Sequence, residues 1–152
     1  MSKNYTHRNL IIWQRAQELS HQMIKLTRRL PQSWANAVLA RQIITAASSI
    51  GANIAEGHGR YSLGAHGNHL SIAKGSAAET DSWLDSLRRE GYLTVEEEAP
   101  LHQECMEIMT MLTSKILDLE RLAQEKSDKV REDQASYELD RPSFPFTPND
   151  YE

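Results

Sequence analysis

In the middle of the 152-residue chain, Asn53, Glu56 and Arg60 are spaced i, i+3 and i+7, and His58, His66 and His69 follow within a few residues. Helical spacing puts the first three on one face. A carboxylate, a guanidinium and an amide on one face can hold an ion pair or grip a polar ligand. Ser76 and Glu79, also three apart, form a second polar pair downstream. The expectation is one structural polar cluster of Asn53, Glu56, Arg60, Ser76 and Glu79 where two helices approach. A buried carboxylate needs partners, and Arg60, Asn53 and Ser76 can supply them. Fixing helix register is the reading taken. Its alternative is contact with a small ligand or an RNA backbone.

Three histidines beside Glu56 also raise a metal reading. A di-metal helical bundle needs Glu-x-x-His pairs on two helices, and the sequence contains only one, Glu18-Leu-Ser-His21, far along the chain from these histidines. His102, Glu104 and Cys105 do not follow a metal-ligand spacing. Cys105 is the one cysteine and falls on an apolar stripe, where a thiol packs as a small hydrophobe. No phosphate-binding loop, dinucleotide fingerprint or nucleophile elbow occurs. The expectation is a protein that is not an enzyme, with no metal, no cofactor and no small-molecule substrate. A metal-dependent enzyme is the remote alternative.

Charge is distributed unevenly behind a net −4. Residues 1–62 carry eight Lys/Arg against two acids, residues 63–124 five against eleven, and residues 125–152 four against eight. Either the halves attract within the fold or between subunits, or the basic half presents a face to nucleic acid. The second reading names Lys3, Arg8, Arg15, Lys25 and Arg29 as one basic edge, with RNA or DNA as the partner. Binding of that kind would be sequence-tolerant and salt-sensitive.

The elements that must position these groups are helices. Apolar or small residues recur every three or four positions at Leu10, Trp13, Ala16, Leu19, Met23, Leu26 and Leu30, before Pro31. Ser33 is the predicted N-cap of a second helix running to about Gly59, and Ser62 that of a third running to about Glu90. Gly57 and Gly59 read as the stop signal of the second helix. Both helices carry dense small residues, and Ala46, Ser49, Gly51, Ala55, Ala73 and Gly75 are expected to form a close seam between them. Thr94-x-x-Glu97 is a capping box opening a fourth helix, in which Pro100 should force a kink or restart. Its apolar stripe runs from Leu101 to Leu122.

The expected fold is all-α, an antiparallel up-and-down four-helix bundle over residues 1–124. Residues 125–152 are expected to be an irregular, polar, Pro-containing C-terminal tail, disordered or a subunit-docking arm carrying Phe144, Phe146 and Tyr151. The first residues lack an apolar signal core, and the longest uncharged run, Gln42 to Ala55, is too short and polar to span a bilayer. A cytoplasmic protein making no membrane contact is expected.

Asn53-Ile-Ala-Glu-Gly57 with Gly59-Arg60 nearby, Ala73-Lys-Gly-Ser76-Ala-Ala-Glu79 and Gly91-Tyr-Leu93 together resemble the signature of the 23S rRNA intervening-sequence family. The resemblance spans about residues 8–123. The chain departs from the pattern at Gln32-Ser33-Trp34, where a glutamate is usual, and at Thr45, where an arginine is. The resemblance implies a four-helix bundle that assembles into a ring-like homopentamer, with an undefined biochemical role. A structurally similar group of proteins, accessory factors of diversity-generating retroelements, binds nucleic acid and a reverse transcriptase. At the level of fold alone, that group supplies the alternative of a nucleic-acid-binding accessory factor.

Overall fold

The computed structural model describes residues 6–139, and Lys3 and the segment 140–152 lie outside them. A single 3-10 turn at His7–Asn9 leads into α1 (Ile11–Thr27), α2 (Trp34–His58), α3 (Leu63–Arg89) and α4 (Val95–Leu139), with no strand among the described residues. Consecutive helices are antiparallel neighbours, as their short links require. None of the described helices is long and apolar enough to cross a membrane.

Local chemistry sets the starts of α2, α3 and α4 and one of the ends. The Ser33 side chain accepts from the Asn36 amide at 3.1 Å, and Ser62 accepts from Ala65 at 3.2 Å. Thr94 and Glu97 form the reciprocal capping box: the Thr94 amide donates to Glu97 at 3.0 Å, and the Glu97 amide donates to the Thr94 hydroxyl at 3.2 Å. Gly91 takes φ +76°, and the amides of Gly91 and Tyr92 bond back to the carbonyls of Arg88 and Leu87. This is a Schellman end, which needs a left-handed residue that only glycine adopts without cost.

Of the two outcomes expected at Pro100, the restart does not occur: α4 runs through it as one helix. The proline sits near the helix start, where one lost hydrogen bond is tolerated, and it and Glu96 are both exposed, so water can reach the carbonyl left over.

The core takes one stripe from each helix: Ala16, Leu19 and Met23; Ile43, Ile50 and Ile54; Leu70, Ala77 and Leu84; Cys105, Ile108 and Leu112. Its last buried residue on α4 is Leu119. From Glu120 to Leu139 every residue is exposed, so the helix projects about 30 Å beyond the core at 1.5 Å per residue. The stretch 125–139, expected to be irregular, is therefore helical. Pairs at i+3 and i+4 line it, among them Arg121 with Glu125 at 3.6 Å and Gln124 with Asp128 at 2.9 Å. No Gly or Pro interrupts it. Periodic charge replaces periodic hydrophobicity there. Residues 140–152, including Phe144, Phe146 and Tyr151, lie outside the described residues.

Candidate functional site

The α2–α3 turn brings together part of the predicted cluster around a histidine that the sequence reading weighs only as a metal ligand. His69 is the hub. Its Nδ1 lies 3.4 Å from the Asn53 side-chain oxygen, Arg60 Nε donates to its Nε2 at 3.1 Å, and Glu56 is 3.7 Å from the same nitrogen. Arg60 also pairs with Glu56. Donation from Arg60 requires an unprotonated Nε2, which leaves Nδ1–H facing Asn53. Asn53 in turn donates to the Ser49 carbonyl at 2.9 Å and its hydroxyl at 3.2 Å.

The helices close here because Gly57 has no side chain. A Cβ on Gly57 would lie 2.9 Å from the His69 Cβ and 3.2 Å from the His66 carbonyl oxygen. Gly57 is thus a point of close approach inside α2 rather than a stop.

Two expectations about this cluster are corrected. Glu56 and Arg60 are 52% and 47% exposed, so the pair is solvated and contributes little, of the order of 0–1 kcal/mol. Ser76 and Glu79 do not join it. They lie seven and ten residues beyond His69 on α3, about 10 and 15 Å along the axis. Ser76 bonds instead to the Ile72 carbonyl at 3.1 Å, and Glu79 accepts from the Trp83 indole at 3.3 Å. His69 was findable by symmetry. In an antiparallel hairpin folded about residue 61, Asn53 and His69 are equidistant from the turn.

The small residues divide between three surfaces. Ala46 and Ala73 are buried in the bundle, while Ser49 and Ala55 are half-buried. Gly51 faces α1 rather than α3: a Cβ there would collide with the Gln17 side-chain amide and touch Ala16 at 3.8 Å. Gly75 is not in the seam at all. It is exposed, with nothing within 4 Å of a Cβ. It belongs to a small-residue stripe on α3, with Gly64, Gly67, Ser71, Ala78 and Ser82 at helical spacing, all exposed but the half-buried Gly67. On α2, Thr45, Ser48 and Ala52 likewise face outward.

The basic edge is neutralised by α4 at two of its five residues, Arg15 and Arg29. Arg15 forks onto Glu104 at 2.6 Å and also meets Glu107, and these bonds hold its guanidinium above the ordinary arginine range. Arg29 pairs with Glu97 at 2.7 Å. Arg8 and Lys25 are exposed, and Lys3 lies outside the described residues. The groove between α1 and α4, of about 670 Å³, carries acids and bases alike, Glu18, Glu97 and Glu104 beside Arg15, Lys25 and Arg29. The basic and acidic halves thus attract across this seam.

Among the described residues no group of three or more His, Cys, Asp or Glu is placed to hold a metal. The Cys105 thiol, fully buried, is pushed up to about 12 chiefly by desolvation and is no nucleophile at neutral pH. His102 lies 2.6 Å from Asp81 on the outside of the α3–α4 seam.

A family model described as the 23S rRNA-intervening sequence protein matches residues 8–114. No curated protein matches the chain. Among solved structures, the chain is similar to a 1.70 Å crystal structure of a protein with unknown function from the S23 ribosomal protein family of Bacteroides thetaiotaomicron VPI-5482. Identity is 31% and the TM-score 0.65, covering 70% of this chain and 98% of that one. The distal part of α4 lies beyond the family match.

Proposed function

Because the chain belongs to the 23S rRNA-intervening sequence protein family, we propose that it acts as a non-catalytic, self-associating scaffold whose working parts are its outer helix faces. The outward stripe of α3 carries this reading. Gly64, Gly67, Ser71, Gly75, Ala78 and Ser82 recur every three or four residues, over about 27 Å of helix. Each helical glycine costs roughly 0.5–1 kcal/mol against alanine, yet a Cβ on Gly64, Gly67 or Gly75 would meet nothing within 4 Å. Gly64 and Gly67 border the groove with α4 at Ile116 and Leu119, but packing within the chain gives none of the three glycines a contact. A neighbouring helix laid along the stripe does, since small side chains let two axes approach to the near end of the usual 8–10 Å. On α2 the outward residues Thr45, Ser48 and Ala52 form a second face of small residues, in a run without charge from Gln42 to Ala55.

The proposed assembly is the homopentameric ring that the family resemblance implies. Its mass would be about 86 kDa, five times 17.3 kDa. Sedimentation velocity tests it together with Gly75→Leu, a substitution that the lone chain has room for. The expected result is an assembled wild type and a dissociated variant that keeps its helical circular dichroism. A monomeric wild type at micromolar concentration, or a fully assembled variant, refutes the reading. The nucleic-acid alternative draws less support, because two of its five basic residues are held by α4.

A further inference from the structure

α1 has 17 residues against 25 and 27 for α2 and α3, and it stops short of one end of the bundle. The shortfall opens a crevice of about 890 Å³ between the start of α1 and the middle of α4. Buried Ile54, Leu70 and Leu112 lie in its depth, with Leu10, Ile12 and Met111 beside them. Its ionisable groups are His58 from α2, His66 from α3, and Lys115 and Asp118 from α4, and α1 adds none. Lys115 has no ion-pair partner among the described residues, whereas Asp118 lies 3.5 Å from Arg121.

We infer that this crevice binds a small aliphatic carboxylate, its chain against the apolar depth and its head between Lys115 and His66. The size suits a ligand of this class, since such sites run to roughly 300–1,000 Å³ and are mostly apolar with a few placed polar groups. One lysine, without an ion pair among the described residues, offers a single countercharge, and Asp118 repels a second negative charge, so a monoanion fits better than a phosphate. The desolvated His66 supplies an N–H for the second carboxylate oxygen.

A further consequence concerns protons. His66 is held below the ordinary imidazole value, first by burial and then by Lys115, His58 and His69. A carboxylate at the head position offsets the repulsion from Lys115 and the other imidazoles, and its direct pairing with the ring raises the bound-state value. Binding therefore takes up a proton, and affinity increases as pH falls.

Calorimetry on the full chain tests this with decanoate below its micellar concentration, in two buffers of different ionisation enthalpy, against decyltrimethylammonium and decanol. The expected result is one saturable decanoate site with net proton uptake, and binding of the other two weaker by about tenfold. Lys115→Met, at an exposed position, should weaken decanoate about fivefold, and His66→Gln should remove the proton uptake. Absence of saturable decanoate binding overturns the inference, as would equal binding of all three probes or proton uptake that survives in His66→Gln.

Discussion

Alanine in place of Gly57 and of Gly51 should change stability in opposite directions, although both glycines are buried in the same helix. At Gly57 the added Cβ would lie 2.9 Å from the His69 Cβ and 3.2 Å from the His66 carbonyl oxygen, and neither atom can swing away without moving α3. Overpacking of this kind costs about 1–3 kcal/mol. The helix-propensity gain, up to about 1 kcal/mol in a helix interior, shrinks one residue from the end of α2. A net loss of about 1–2 kcal/mol follows. At Gly51 the obstacle is the far end of the Gln17 side chain, an exposed residue free to change rotamer. The propensity gain of about 1 kcal/mol is then mostly kept, and the variant should match or exceed the wild type. Urea unfolding followed by far-ultraviolet circular dichroism, at one protein concentration so that assembly does not bias the midpoint, measures both. The two variants should differ by about 2 kcal/mol, or roughly 4–8 °C in Tm. A Gly57→Ala protein as stable as wild type would mean that the helices do not close at this turn. A Gly51→Ala protein that loses about 2 kcal/mol or more would mean that Gln17 is locked in place.

Three further outcomes follow from the charges and the thiol. Glu56→Ala should cost less than about 1 kcal/mol in the same assay, since both members of the ion pair are half exposed; a loss of several would signal a buried network. Glu107 is held below the ordinary carboxylate range by Gln103 and then Arg15, and Glu97 by the Thr94 amide and then Arg29. Depressed values mean stability that is present above the unfolded value near about 4.3 and lost as pH falls through the folded one. Acid unfolding should therefore become less steep in Glu97→Gln and Glu107→Gln, and an unchanged pH profile would count against these bonds. Cys105 should react with iodoacetamide at pH 8 at least about a hundredfold more slowly in the folded protein than in urea, given a thiol pushed from 9.0 to about 12. Comparable rates would place it on the surface.

Much of the fold was legible because its signals are local. Ser33, Ser62 and the Thr94–Glu97 box each act within three residues, and the apolar stripes need only a period of 3.6. The site was read less well. Asn53, Glu56 and Arg60 were placed together correctly because they share one helix, but Ser76 and Glu79 belong to other turns of α3, and His69 took their place. Hairpin symmetry was the missing step, since it selects partners by distance from the turn. The α4 projection was misjudged because a helix held by charge pairs lacks the hydrophobic period by which helices are recognised.

What the amino-acid order determines alone is therefore the number of helices, most of their caps and the stripe each one buries, because these depend on neighbours a turn away. What the tertiary structure decided is the direction in which each small or charged residue faces. Gly51 turned to α1, Gly57 to α3 and Gly75 to solvent. Arg15 and Arg29 turned to the acids of α4. A glycine or an arginine carries no mark of its partner. Helix lengths and axial register assign that partner, and both exist only once four helices pack as one body.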